Sequence, residues 1–68
     1  MKSISSQIKD LRLERVFSQQ QLADAIGVKR YNISDWEQGR TEPDISNIVL
    51  LSKFFGVTTD YLLGISDW

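Results

Sequence analysis

The sequence has no cysteine and no histidine among its 68 residues. Without cysteine, neither a disulfide framework nor a cysteine metal site is available, and without histidine the usual general base and imidazole ligand are missing. The nine acidic residues are scattered, with no paired-carboxylate or metal-ligand motif. We therefore expect no enzyme, no small-molecule substrate, no cofactor and no metal site.

Long apolar runs are also lacking. The longest are interrupted by Ser52, Lys53 and Thr58, and they fall far short of the roughly 18 to 20 residues that span a bilayer. The N-terminus lacks the apolar core of a signal peptide. We therefore expect a soluble cytoplasmic protein with no membrane partner. Because a chain this short buries only about 60% of its unfolded surface, we expect one domain over residues 1–68, with its core from about 4 to 64.

The most informative segment runs from Phe17 to Gly39, where two short helical patterns follow one another. Ser18 is placed to cap the first of these helices, and Gln21, three positions later, completes a capping box. Phe17 and Leu22 hold the positions of a hydrophobic staple around that cap. The start of this helix is therefore specified by its cap, by the box and by the staple.

The second helical pattern begins after Gly27, a residue that adopts positive φ at low cost and can end a helix. Its inward face is apolar and consists of Val28, Ile33 and Trp36. Its outer face carries hydrogen-bonding side chains that a protein has little structural reason to need. This outer face comprises Arg30, Tyr31, Ser34, Asp35 and Gln38. The two patterns and their glycine predict a helix-turn-helix.

Helical spacing of apolar residues predicts three further helices and no strand, so the expected fold class is all-α with five helices. The expected ranges are about 3–15, 19–26, 30–38, 44–56 and 58–64. The residues expected to face inward are Ile4, Ile8 and Leu11 on the first helix and Ile45, Ile48, Leu51 and Phe55 on the fourth. Asp44 is expected to cap the fourth helix, after a loop that contains the single proline, Pro43.

The complete pattern resembles the Cro/C1-type helix-turn-helix family, also called the XRE family, which comprises phage repressors and many small bacterial regulators. The resemblance is carried by S-Q-Q-Q-L-A, the I-G-V turn with I-S-D-W-E-Q-G, the E-P-D loop and F-G-V-T-T-D-Y-L-L-G. These segments stand in the family's order and cover roughly residues 4–64. The resemblance implies a compact five-helix, lambda-repressor-like DNA-binding domain whose second and third helices form the helix-turn-helix.

In this family the second helix of the motif lies in the major groove and the first crosses the DNA backbone. The resemblance implies base contacts from Arg30, Tyr31, Ser34 and Asp35. It implies phosphate contacts from Ser18, Gln19, Lys29, Gln38 and Arg40. An arginine at position 30 could bond guanine O6 and N7 together. Asp35 could accept from a cytosine amino group, reject wrong sequences through phosphate repulsion, or orient Arg30.

Arg12 and Glu37 stand where part of the family has a buried ion pair between the first helix and the recognition helix. The resemblance therefore implies that these two side chains pair and hold the third helix against the first. The alternative is two exposed charges on neighbouring helices. Loss of one member of a buried pair would leave an unpaired charge.

Two departures from the family pattern lie beside helix ends. Val16 stands where many members have glycine, and a β-branched residue strongly resists positive φ. We therefore expect the connection after the first helix to avoid the left-handed region. Lys29 stands where the family usually has a serine or threonine cap, so we expect the third helix to begin with a weaker cap.

Several apolar residues exceed what the predicted core can use, and large exposed apolar patches often mark interfaces. Leu13 also belongs to this excess, and the proposed interface residues are Leu50, Phe54, Tyr61 and Trp68. We expect a homodimer built through the fourth and fifth helices and the C-terminal end, reading two half-sites about 34 Å apart. The alternative is that Trp68 folds back over its own domain and Phe54 enlarges the core.

The net charge of −1 is unusual for a nucleic-acid binder, but residues 1–40 sum to +2 and residues 41–68 to −3. The basic half thus coincides with the helix-turn-helix. The expected function is a sequence-specific transcriptional regulator that binds a double-stranded DNA operator, of the phage or prophage repressor kind. The alternatives are an antitoxin-type regulator with a toxin as protein partner, and an interaction module that has lost DNA binding.

Overall fold

The computed structural model describes residues 2–67, which form five α-helices and no strand. The helices are α1 (Ile4–Glu14), α2 (Gln19–Ile26), α3 (Arg30–Gln38), α4 (Ile45–Phe55) and α5 (Thr59–Leu63). The all-α fold class and the five helical ranges predicted from the sequence are confirmed. The longest helices have 11 residues, and none within residues 2–67 is long and apolar enough to cross a membrane.

Side-chain oxygens cap four of the five helices. The caps are Ser3, Ser18, Asp44 and Thr58. The capping box of α2 is complete: Ser18 Oγ accepts from the Gln21 backbone N–H at 3.0 Å, and Gln21 Oε1 accepts from the Ser18 N–H at 2.8 Å. Lys29, which precedes α3, makes no side-chain cap hydrogen bond, as predicted. The start of α3 therefore depends on its packing more than on a local cap.

The hydrophobic core draws on all five helices. Its buried members are Ile8, Leu11, Leu22, Ala23, Ile26, Ile33, Trp36, Leu51, Phe55 and Leu62. α3 packs against both α1 and α2, and α4 packs against α2 and α5. Ile33 and Trp36 are buried and Val28 packs partly buried against the core, which confirms the predicted inward face. Burial of this face leaves the outer face of α3 at the surface.

The buried face of α4 differs from the prediction at Ile45, which is 81% exposed. Leu51, Ser52 and Phe55 are buried, and Ile48 is partly buried against the core. Ile45 is almost in line with Ser52, two turns later, but as the first residue of α4 it lies at the exposed end of the buried face. Ser52 is accommodated there because its hydroxyl donates to a backbone carbonyl of its own helix at 2.9 Å. The prediction that Ile45 faces inward is wrong.

Val16 connects α1 to α2 with a φ of +60°, so the prediction that this connection avoids the left-handed region is wrong. The Val16 N–H donates to Leu13 O and the Phe17 N–H donates to Arg12 O, each at 3.1 Å. These two bonds form the Schellman arrangement, which requires a left-handed residue after the helix and satisfies its terminal carbonyls. The hydrogen bonds at the end of α1 therefore outweigh the resistance of a β-branched residue to positive φ.

Val16→Gly is expected to raise the free energy of unfolding by about 1 kcal/mol, because glycine adopts positive φ without a clash of its side chain. Val16 is 86% exposed, so removing its side chain sacrifices little apolar burial. The expected rise in Tm is about 4–8 °C in thermal denaturation followed by circular dichroism. Val16→Ala, which retains Cβ, should gain less. An unchanged Tm in the glycine variant would mean that Val16 is not strained.

Candidate nucleic-acid interface

The outer face of α3 is accessible along its whole length. Arg30 and Tyr31 are exposed in the first turn of the helix, and Tyr31 is 61% exposed. Ser34 and Asp35 follow one turn later and are half-buried, and Gln38 is exposed at the end. Because residues three and four apart are neighbours on a helix, all five side chains lie on one surface.

Hydrogen bonds order the later part of this outer face. Gln38 Nε2 donates to Ser34 Oγ at 2.8 Å. Arg40, in the loop after α3, donates from Nη1 to Asp35 Oδ1 at 3.3 Å. Lys29 is exposed at the opposite end, where α3 begins. Two cations therefore lie at the two ends of the outer face.

Arg12 and Glu37 form a bidentate ion pair between α1 and α3. Arg12 Nε donates to Glu37 Oε2 at 2.6 Å, and Arg12 Nη2 donates to Oε1 at 2.9 Å. Arg12 Nη1 donates to the Phe17 carbonyl at 2.8 Å, just before α2. The two charged side chains are only 11% and 3% exposed, so the alternative of two exposed charges is wrong. The hydrogen bonds to Glu37 raise the pKa of the Arg12 guanidinium, and burial opposes that rise.

Gln19 joins this buried pair to the outer face of α3. Its side-chain Nε2 donates to Glu37 Oε1 at 3.1 Å, and its Oε1 accepts from Arg30 Nη1 at 3.4 Å. Gln19 is half-buried and is the first residue of α2, next to the exposed cap Ser18. The structure therefore places Arg12, Glu37, Gln19 and Arg30 in one chain of hydrogen bonds across three helices.

Three polar links in the structure were not indicated by the sequence patterns. The Gln19 bridge and the pairing of Asp35 with Arg40 were missed, although opposite charges on either side of a helix-ending glycine were a visible signal for the second. The third link joins α1 to α5, because buried Gln7 donates from Nε2 to the Tyr61 carbonyl at 2.7 Å. Gln7 lies three residues after Ile4 and four before Leu11, so its place beside the apolar stripe of α1 was a visible signal of its burial.

The residues predicted for a dimer interface differ in their exposure. Leu50 is 44% exposed. Phe54 is half-buried, with its ring centroid 5.3 Å from that of Phe17, and Tyr61 packs partly buried against the core. Phe54 therefore extends the core as well as reaching the surface. Trp68 lies outside the described residues, and the interface stays a prediction.

These features define a class: an all-α helix-turn-helix domain whose second motif helix presents an ordered polar face. The sequence profile of the helix-turn-helix family matches residues 8–62 of this chain. The chain therefore belongs to the Cro/C1-type helix-turn-helix family.

Two relatives show the kind of protein in which such a domain occurs. The SPbeta prophage-derived transcriptional regulator YonR of Bacillus subtilis is 39% identical over 56 residues, which are 82% of this chain and 52% of YonR. The CTXphi transcriptional repressor RstR of Vibrio cholerae is 36% identical over 63 residues, which are 93% of this chain and 57% of RstR. The chain thus spans about half the length of these curated relatives.

One similar solved structure is that of the c2 repressor of Salmonella phage P22 in complex with synthetic operator 9T. It superposes on this chain with a TM-score of 0.89 at 32% identity. The match covers 97% of this chain and 100% of the repressor chain. The arrangement of all five helices is therefore shared with a repressor domain solved on DNA.

Proposed function

We propose that this chain is a sequence-specific, double-stranded DNA-binding domain of a transcriptional regulator of the phage or prophage repressor kind. The observation that carries the proposal is the hydrogen-bonded chain from the buried Arg12–Glu37 pair through Gln19 to Arg30. The named functions of the relatives and the operator-bound structure of the P22 c2 repressor support it. In this role the domain acts in the cytoplasm and carries out no enzymatic reaction.

α3 enters the major groove and Arg30 reads a guanine through O6 and N7. Gln19 holds one guanidinium nitrogen, Nη1, and so restricts the side chain before DNA arrives. A side chain that is already restricted loses less conformational entropy on binding. Tyr31 is exposed enough to contact a thymine methyl or a phosphate, and Ser34 can donate or accept beside it.

Phosphates are held at the two ends of the helix-turn-helix and at the turn between its helices. Ser18 and Gln19 lie at the start of α2, where the positive end of the helix dipole favours an anion. Lys29 lies before α3, and Gln38 and Arg40 lie at its far end. Only Lys29 and Arg40 in this set are cations, so we expect weak binding to non-specific duplex.

We also propose that two copies of the chain pair through Leu50, Phe54 and Tyr61, together with Trp68, which lies outside the described residues. Support comes from the exposed fraction of Leu50 and from the position of Phe54 at the edge of the core. A twofold pair places one α3 in each of two major grooves about 34 Å apart. Affinity for a matched operator then combines two sets of weak phosphate contacts with two sets of base contacts.

Selection of bound duplexes from a random pool tests both proposals. We expect two half-sites one helical turn apart, and steep loss of affinity for the selected duplex as salt increases. Four cations per dimer (Lys29 and Arg40 twice) give a slope of about −3.6 in log K against log salt. A duplex with scrambled half-sites is the control. Absence of binding to any duplex contradicts DNA recognition, whereas selection of one isolated half-site contradicts pairing.

A further inference from the structure

The two carboxylates of α3 have opposite environments. Glu37 is 3% exposed and is neutralised by Arg12. The Asp35 side chain is 31% exposed and lies on the outer face. Near the C-terminal end of a helix, a carboxylate meets the negative end of the helix dipole, and in a DNA groove it also meets phosphates. Asp35 therefore needs a compensating charge if it is to enter the groove.

Arg40 supplies that charge through the turn that ends α3. Gly39 has a φ of +76°, and the chain reverses there so that the Arg40 N–H donates to the Asp35 carbonyl at 2.9 Å. The Arg40 side chain then donates to Asp35 Oδ1 at 3.3 Å. The same two residues are thus joined through backbone and side chain. The Arg40 side chain remains 63% exposed and faces solvent beside the outer face.

We propose that Arg40 positions Asp35 as a base-selecting carboxylate, in addition to any phosphate contact of its own. Asp35 Oδ1 is held by Arg40, and Oδ2 accepts a hydrogen bond from an exocyclic amino group in the major groove. The remaining guanidinium donors of Arg40 reach the adjacent phosphate. This inference rests on the proposed DNA binding and assigns one element of its specificity.

The groups on the base edges determine which base such a carboxylate selects. An ionised carboxylate only accepts hydrogen bonds. Guanine presents the acceptors N7 and O6, and thymine presents the acceptor O4 and a methyl group, so both repel or exclude it. Cytosine offers the N4 amino donor, whereas adenine offers its N6 amino donor beside the acceptor N7. Asp35 is therefore expected to prefer cytosine, then adenine, over guanine and thymine.

The base pair that Asp35 contacts is first located as the operator position at which Asp35→Asn alters the base preference. The test then uses four duplexes that carry the selected operator and differ only at that base pair. Wild type should bind the cytosine duplex about tenfold more tightly per half-site than the guanine or thymine duplex. Asp35→Asn should shift the preference toward adenine, because an amide both donates and accepts. Arg40→Gln should reduce the cytosine preference to within about twofold as well as lower affinity for all four duplexes.

Lys29→Gln is the matched control, because it also removes a cation at one end of α3 but leaves Asp35 and its partner unchanged. It should weaken all four duplexes by the same factor. Adding Arg40→Gln to Asp35→Asn should cause no further loss of base preference, because the Asp35 carboxylate that Arg40 positions is already absent. Thermal denaturation should show an unchanged Tm for Arg40→Gln, because exposed ion pairs contribute little stability.

The outcomes separate this inference from the proposed function. If wild type binds no duplex, DNA recognition itself is wrong. If wild type discriminates among duplexes but Arg40→Gln weakens all four equally, Arg40 is only a phosphate ligand and the inference is overturned. The inference is also overturned if Asp35→Asn alters preference at no base pair.

Discussion

Arg12→Ala is expected to lower the free energy of unfolding by about 3–5 kcal/mol, because it leaves the Glu37 carboxylate buried without its cation. Glu37 is 3% exposed, so its carboxylate loses two guanidinium bonds in a site that is largely removed from bulk water. The Phe17 carbonyl also loses its donor. For a domain of this size the whole free energy of unfolding is roughly 3–10 kcal/mol, so the variant should be largely unfolded by modest urea. Urea denaturation followed by circular dichroism measures the loss.

Two further variants control this experiment. Lys2→Ala breaks an exposed ion pair with Asp10 and should leave the free energy of unfolding almost unchanged, because exposed ion pairs contribute little stability. The double variant Arg12→Met with Glu37→Leu buries no charge and should recover most of the stability lost in Arg12→Ala. If Arg12→Ala is no more destabilising than Lys2→Ala, the buried pair does not hold α3 against α1.

Arg30→Ala is expected to lower affinity for the selected duplex by about 1–3 kcal/mol per half-site and to relax preference at one guanine-containing base pair. The reason is the loss of a guanidinium that bonds O6 and N7 of one base. Fluorescence anisotropy with the operator and its single-base-pair variants measures both effects. Lys9→Ala removes a cation from the exposed surface of α1 and should leave the base preference unchanged. Equal loss for every duplex in Arg30→Ala would show that Arg30 contacts phosphate instead of a base.

Because Gln19 bridges Glu37 and Arg30, Gln19→Ala removes more than a phosphate contact. From the sequence alone, its loss is expected to weaken all duplexes alike, because Gln19 stands at the start of α2. In the structure Gln19 also accepts from Arg30 Nη1, so Gln19→Ala should partly relax the same base preference as Arg30→Ala. The two substitutions together should then lose less affinity than the sum of their separate effects. Strict additivity would mean that the bridge does not act in the complex.

The sequence predicted the helices of this protein well because their signals are local. A cap such as Ser18 and its partner Gln21 lie three residues apart, and their hydrogen bonds form within one turn. The inward face of α3 was equally predictable, since Ile33 and Trp36 are spaced by the helical period and no competing apolar face exists on that helix. The remaining side chains of α3 could then be assigned to its outer face.

The two wrong predictions concern positions where local preference competes with a larger arrangement. Val16 takes positive φ because two backbone hydrogen bonds at the end of α1 require it. Ile45 matches the apolar spacing of α4, but it is the first residue of that helix, and the packing of the domain leaves it 81% exposed. Neither the hydrogen bonds at the end of α1 nor the extent of α4 that its neighbours cover is visible in residue type and spacing.

By itself, the sequence determined the fold class, the helix boundaries, the caps and the set of side chains on the outer face of α3, because each depends on residues within a few positions of one another. Only the tertiary structure decided which polar side chains are joined by hydrogen bonds to that face. Gln19 lies between Glu37 and Arg30 because α2 packs on α3, and their separation along the chain carries no such information. Hydrogen bonds between helices depend on distances that packing alone sets.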